Sequence, residues 1–259
     1  MPHAISDRGQ IDAAISHCLR EQKTPLRAYQ FRCLASNTTV PDWVALHPVP
    51  LHGNSRLDRR VFFRRARDTF VAHQLELIAL EQSIAWLAGR QGWATGVVSI
   101  SQVSLLVPGM LERLVRLFKR LPFPAGQLCL YIVSHEDCDY PDHLAECTAV
   151  IRDCGLRLMS NRFMPTPADD QRMSLDYLRL SQPLAQGLAG SLSHQVAIEQ
   201  MVERGKLRGW QLITPHLPSA ASRRQASTLG VAMERMPPVS LEQADALFDW
   251  TERSQSIAK

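Results

Sequence analysis

A run of side chains that could bind a soft metal ion lies in the middle of the sequence. These are His135, Cys138, His143, Cys147 and Cys154. His143 and Cys147 are four residues apart, which would place two zinc ligands on one face of a helix. However, Cys147 and Cys154 also continue an apolar stripe, and a buried cysteine packs as a small hydrophobic residue. The sequence therefore favours core packing and predicts no metal site and no cofactor.

A second candidate site is a group of arginines between residues 55 and 70. Arg56, Arg60, Arg64 and Arg67 recur on one face of a predicted helix. Ser55 and Asp58 have capping-box spacing, and Leu57, Val61, Phe62, Ala66 and Phe70 form the predicted inner face. A basic face could follow phosphates or fit an acidic groove, but a solvated helix surface is the simpler interpretation. Nucleic acid is therefore not the expected partner. Binding of a nucleic acid or of an acidic partner through this basic helix is the alternative hypothesis.

The composition is that of a globular protein. The chain has 259 residues, 45% of them hydrophobic and 21% charged, with a formal net charge of +4. This charge falls short of the excess typical of nucleic-acid-binding proteins. The beginning of the chain lacks the pattern of a secretory signal, and no apolar run is long enough to span a membrane. We expect a cytoplasmic protein with reduced cysteines.

The elements that must position these residues alternate between strands and helices. Strands are predicted at 96–101, 127–133, 155–160, 177–181 and 210–214, and helices at 110–121, 143–154, 191–208 and 219–229. Both alternate sets of side chains in 128–133 are largely apolar, which is typical of a strand covered on both faces. The pattern indicates repeated βα units and a parallel sheet.

The remaining segments complete a barrel. Two strands at 26–35 and 41–48 precede helices at 56–70 and 71–89, a last strand is predicted at 231–234, and Ser240 caps a final helix. About eight strands and their helices predict an α/β protein with a modified (β/α)8, TIM-like barrel. Residues 29–259 would form this domain, and residues 1–28 an N-terminal helical extension or the first helix of the domain.

Read in order, residues 29–250 resemble the EAL domains of bacterial cyclic di-GMP phosphodiesterases. Tyr29-Gln30 resembles the family's Tyr-Gln start, and Val44-Ala45-Leu46 stands where Glu-Ala-Leu is expected. The segment VVSISQVSLL, residues 97–106, resembles the next motif, V-x-V-N-L-S, and aligns Ser99 with its asparagine. The resemblance is one of motif order and predicts a barrel of EAL type.

The later motifs also lack the family's acidic residues. The resemblance aligns Tyr131 and Ser134 with glutamates, and Asn161 and Arg162 with adjacent aspartates. It aligns Arg179 with a lysine. The positions that correspond to the family's catalytic site are thus Val44, Ser99, Tyr131, Asn161, Arg162, Arg179 and Pro215.

This set implies a protein that is not an enzyme. The family's hydrolysis relies on Mg²⁺ or Mn²⁺ held by oxygen ligands, and such hard cations require carboxylates. The resemblance implies regulation in cyclic di-GMP-related signalling, of the kind that controls motility or biofilms, through a protein partner. An inactive cyclic di-GMP receptor is the alternative, with Arg162 or Arg179 contacting a phosphate. Salt bridges at the barrel mouth would also explain these two arginines. The sequence does not decide whether the protein forms a homodimer.

Overall fold

Eight strands close into a barrel. The computed structural model describes residues 7–52, 55–57, 59–68, 70–90, 93–134, 142–161 and 174–247. The barrel strands are β1 (Leu26–Cys33), β2 (Thr39–Pro48), β5 (Thr95–Ser101), β6 (Leu128–Val133), β7 (Arg157–Ser160), β8 (Tyr177–Arg179), β9 (Gln211–Thr214) and β10 (Met233–Val239). The predicted modified (β/α)8 barrel is confirmed.

One strand runs against the others. β1 pairs antiparallel with both β2 and β10, whereas every other pair in the barrel is parallel. Only residues 34–38 connect β1 to β2, too few for the crossover that a parallel pair requires. The start of β1 therefore lies beside the end of β2, with Leu26 opposite Pro48. We call this end, where the parallel strands terminate, the barrel mouth.

The strands are buried on both faces, as predicted for 128–133. Cys129 and Tyr131 lie in an inner core, which fills the barrel. Leu128, Leu130 and Ile132 lie in an outer core between the sheet and the helices. A strand side chain that packs in the inner core therefore points into the barrel, and one that packs in the outer core points towards the helices.

The outer core is closed by helices that begin and end at local sequence signals. They are α3 (Ala72–Ala88), α4 (Gln102–Leu105), α5 (Met110–Phe118), α6 (Asp142–Asp153), α7 (Gln182–Gln186), α8 (Leu192–Arg208), α9 (Ala220–Thr228) and α10 (Leu241–Leu247). The predicted bounds at 191–208 and 219–229 agree within one residue, because Ser191 and Ser219 are N-caps. None of the described helices is long and apolar enough to cross a membrane.

The last strand is longer than predicted. The sequence prediction ended it at residue 234, before Pro237 and Pro238, which lack the N–H of an interior strand residue. β10 pairs with β9 only at Met233 and Glu234, and its later residues pair with β1 alone. The prolines are tolerated because that part of the strand has a single partner.

A separate hydrophobic cluster lies beside the barrel. Helices α1 (Arg8–Glu21) and α2 (Arg59–Asp68) pack with α3 and with a short hairpin of β3 (Leu51–His52) and β4 (Ser55–Arg56). Its buried residues are Ile11, Ala14, Ile15, Cys18, Leu57, Phe62, Ala66, Ala72 and Leu75. Two short hydrogen bonds, of 2.7 and 3.0 Å, join Arg65 to the carboxylate of Asp12 across α1 and α2.

Two details predicted for the arginine-rich segment are wrong. Ser55 and Arg56 belong to β4, where Arg56 pairs with Leu51, so α2 starts only at Arg59. Phe70, predicted to face inward, is 85% exposed. The hydrogen bond from the amide of Leu57 to the carbonyl of Pro50 fixes the hairpin and removes Ser55 from the helix start.

We predict that α1 contributes to the stability of the barrel domain. Ile11 is buried in the hydrophobic cluster beside the barrel, so Ile11→Ala should lower the free energy of unfolding by about 2–4 kcal/mol in urea titrations. Leu207→Ala, at an exposed site, is the control and should change it by less than about 0.5 kcal/mol. Equal stability of the two variants would place α1 outside the cooperative domain.

Candidate functional site

The inner face of the barrel mouth carries several of the residues singled out in the sequence. Ser99 and Tyr131 are neighbours in the register of β5 and β6. Arg179 ends β8, and Asn161 directly follows β7. Pro215 follows β9 and is buried. The structure thus brings these five positions to the same end of the barrel.

Val44 does not belong to this set. It is 1% exposed and packs in the outer core, whereas its neighbour Ala45 lies in the inner core. A side chain at position 44 therefore points towards the helices and not towards Ser99. Arg162, the remaining predicted position, lies outside the described residues.

His47 is a site residue that the sequence did not reveal. Its Nδ1 lies 3.0 Å from the hydroxyl oxygen of Ser99, and both residues are buried. Its ring contacts Tyr29 and Tyr131 edge to face, with centroids 5.3 and 6.0 Å apart. The sequence feature that could have revealed His47 is its position two residues after Ala45, because alternate side chains of a strand point to the same face. His47 is therefore the residue of β2 that contacts Ser99 and Tyr131 at the mouth.

Arg179 is bound to an aromatic residue. Its Nη1 donates a hydrogen bond of 2.9 Å to the hydroxyl of Tyr131, and its guanidinium lies 5.5 Å from the centre of that ring. Its Nε is buried without a hydrogen-bond partner. No carboxylate among the described residues forms a salt bridge with Arg179. The salt bridge considered for it in the sequence is thus absent from the described part of the mouth.

A row of cationic and aromatic groups crosses the mouth. The guanidinium of Arg235 lies 4.4 Å from the ring centre of Tyr29, at the opposite end of the row from Arg179. The order is Arg235, Tyr29, His47, Tyr131 and Arg179. This cation–aromatic row presents guanidinium groups at both ends and contains no carboxylate. Such a row can attract anions and repels metal cations.

Asn161 acts as a clamp between strand ends. Its Oδ1 accepts a hydrogen bond of 2.7 Å from the amide of Ser134, and its Nδ2 donates one of 3.0 Å to the carbonyl of the same residue. These bonds tie the segment after β7 to the segment after β6. An amide engaged in this way is a structural link and not a free metal ligand.

The carboxylates of Glu76, which is half-buried, and of Glu234 accept hydrogen bonds from other groups. Glu76 of α3 accepts hydrogen bonds of 2.9 Å from both the amide and the hydroxyl of Ser101. Glu234 is fully buried and accepts a hydrogen bond of 2.8 Å from the amide of Leu217. His216 and Arg32 also contact its oxygens, at 2.8 and 3.5 Å.

The histidine and cysteine group does not form a metal centre in the described part of the chain. Cys147 packs in the outer core, as predicted, with its sulfur 3.7 Å from Nε2 of His143. Burial raises the pKa of the Cys147 thiol, which disfavours the thiolate that a metal needs. His135 and Cys138 lie outside the described residues. Elsewhere in the described ranges, no three His, Cys, Asp or Glu side chains are placed to hold a metal.

The arginine face is only partly described. Arg64 is exposed and Arg67 half-buried on α2. Arg56 lies in β4 and Arg60 in α2, but the directions of their side chains are outside what the structure describes. The candidate surface is therefore carried by Arg64 and Arg67, beside the Arg65 that pairs with Asp12.

The barrel is similar to solved EAL domains. The FimX EAL domain of Xanthomonas citri, in complex with c-diGMP, matches with a TM-score of 0.74 at 14% identity, over 90% of this chain and 94% of that one. The PaMucR phosphodiesterase, in a c-di-GMP complex, matches with a TM-score of 0.78 at 13% identity, over 90% and 99%. An EAL domain protein of Listeria monocytogenes matches with a TM-score of 0.73 at 15% identity, over 91% and 96%.

These likenesses define the class of fold. No protein-family model and no curated protein matches the sequence. The chain nevertheless has the EAL-domain fold, as the motif order predicted.

We predict that the contact between Tyr131 and Arg179 stabilises the mouth. Tyr131→Phe removes the acceptor of a hydrogen bond from a charged group and should lower the free energy of unfolding by about 1.5–3 kcal/mol. Tyr177→Phe is the matched control, because its hydroxyl accepts a longer bond, of 3.3 Å, from Arg157. Arg157 also donates to Thr95, so it keeps a partner in the control. Equal losses in urea unfolding would contradict a special role for the Tyr131 contact.

Proposed function

We propose that this protein is a non-catalytic regulator with an EAL fold, which acts in cyclic di-GMP-related signalling by binding other proteins. The observation that carries the proposal is the residue set on the inner face of the mouth. His47, Ser99, Tyr131, Asn161 and Arg179 stand at the ends of its strands and include no carboxylate.

These residues do not fit a catalytic metal site. Magnesium and manganese are hard cations that need several anionic oxygen ligands. The mouth offers hydroxyl groups, an amide that is already bonded at both ends, and a guanidinium that repels a cation.

The signalling context is inferred from the fold. The matched FimX domain and PaMucR were both solved as complexes with c-di-GMP, and PaMucR is a phosphodiesterase. We carry the context over to this chain and not the activity, because the mouth has a different chemistry. A cytoplasmic location fits this context.

The packing of the mouth supports protein binding over nucleotide binding. A small-molecule site is usually a largely preformed concave pocket. The rings of Tyr29, His47 and Tyr131 instead pack against one another, with Arg179 and Arg235 against the outer two.

A cyclic di-GMP receptor is the second candidate, and one observation favours it. Arg179 lacks a carboxylate partner among the described residues, and its Nε is buried without a hydrogen bond. A guanidinium matches phosphate oxygens in a bidentate manner, so a nucleotide phosphate could satisfy this group.

We expect no hydrolysis of cyclic di-GMP with Mg²⁺ or Mn²⁺, because the five residues described above at the strand ends of the mouth carry no carboxylate. Product formation would be followed by chromatography, with an active EAL phosphodiesterase as the positive control. Turnover by the purified protein, abolished by a chelator, would contradict the non-catalytic proposal.

A ligand that binds the native state raises its apparent stability, so the melting temperature reports binding. Because side chains of the mouth pack against one another, we expect cyclic di-GMP to produce no binding heat and no rise in melting temperature. Binding in the micromolar range would instead favour the receptor. In that case Arg179→Met should weaken it by about tenfold or more, whereas Arg113→Met, on the surface of α5, should leave it unchanged.

A further inference from the structure

The positive charge of the chain is concentrated in one short segment. Residues 55–68 contain six arginines and two aspartates, an excess of four positive charges. The formal net charge of the whole chain is +4, so all other residues together are balanced. Such a concentration of positive charge attracts acidic partners in preference to neutral or basic ones.

The same segment borders a groove. The groove lies between α1 and α2, has a volume of about 310 Å³, and is lined by Arg8, Ile11, Val61, Arg64, Arg65 and Asp68. Its aliphatic part comes from Ile11 and Val61. Arg65 is fixed by the two hydrogen bonds to Asp12, which also hold α1 and α2 together. Among the described residues no carboxylate forms a salt bridge with Arg8 or Arg64.

Phe70, two residues beyond the Asp68 that lines this groove, has an uncommon backbone conformation. It follows α2 by two residues, has a φ of +58°, and is 85% exposed. Bulky residues rarely adopt positive φ, and glycine is the usual choice at such a helix end. Its amide donates to the carbonyl of Arg67, and the amide of Val71 donates to that of Ala66. An aromatic side chain is thus presented to solvent where a glycine would be less strained.

We infer that the groove between α1 and α2 is a docking site for an acidic segment of a partner protein that also carries apolar side chains. Carboxylates of the partner pair with Arg8 and Arg64, an apolar side chain contacts Ile11 and Val61, and Phe70 packs at the edge. Arginine and aromatic residues are those that contribute most at protein interfaces. The inference rests on the proposed role in protein binding and identifies its surface.

A protein segment fits the groove better than a nucleic acid does. Single-stranded nucleic acids stack successive bases on several aromatic rings. The six residues that line this groove include no aromatic residue, and Phe70 supplies a single ring beyond them. Asp68 lies in the wall and Arg65 is paired with Asp12, so a continuous phosphate chain would meet negative charge. An acidic peptide can place its carboxylates away from Asp68.

The test measures binding of a labelled peptide to the full chain by fluorescence anisotropy. The probe is a helical peptide with leucine at every fourth position and glutamate between, and a single-stranded oligothymidylate of equal charge is compared. The double variant Arg8→Glu, Arg64→Glu should weaken peptide binding by about tenfold or more. The control, Arg113→Glu with Arg116→Glu on the exposed face of α5, makes the same change in net charge and should leave it unaltered.

Phe70→Gly separates a docking role from a structural one. Glycine adopts positive φ without strain, so this variant should melt at the same or a higher temperature and yet bind the peptide more weakly. A lower melting temperature with unchanged binding would assign Phe70 to the fold.

Three outcomes overturn the inference: no binding of the peptide by the unmodified protein, equal weakening by the two arginine pairs, or tighter binding of the oligothymidylate. None of them bears on the nucleotide assays. Hydrolysis of cyclic di-GMP would refute the non-catalytic role while leaving these peptide results unchanged.

Discussion

A strand that is covered on both faces leaves no side chain in water, and this constraint governs the interior of the barrel. A polar group on the inner face is stabilised by a partner inside the barrel, because an unpaired buried polar group, such as Nε of Arg179, costs about 1–3 kcal/mol. His47 therefore meets Ser99, and Tyr131 meets Arg179. The result is a mouth in which polar residues mainly satisfy one another.

Much of the fold could be predicted because its signals are local. Alternating apolar residues located the strands, and Ser191 and Ser219 located helix starts to within a residue. The start of α2 could not be found in this way, because a capping-box pattern at Ser55 competed with a strand bridge to Leu51 and His52, which depends on the path of the chain. The exposure of Phe70 likewise follows from the backbone at the end of α2 and not from its hydrophobicity.

The site was harder to predict than the fold. Where both faces of a strand are buried, hydropathy does not distinguish the inner from the outer side chains. Motif order alone therefore aligned Val44 with a site position, although the pleat turns it towards the helices. His47 could be recognised only once the direction of β2 was known. The positions on β5, β6 and β8 were brought together because parallel strands end at one edge of the barrel.

Asn161, which motif order aligns with an acidic residue of EAL domains, carries its own hydrogen-bond donor and acceptor. Two carboxylates facing each other across adjacent strands would repel unless a divalent ion or a proton lay between them. The amide closes the same gap with two hydrogen bonds to one backbone unit, and it has no charge to neutralise at any physiological pH. The joint between these strand ends is therefore held without a bound cation and without a protonated carboxylate.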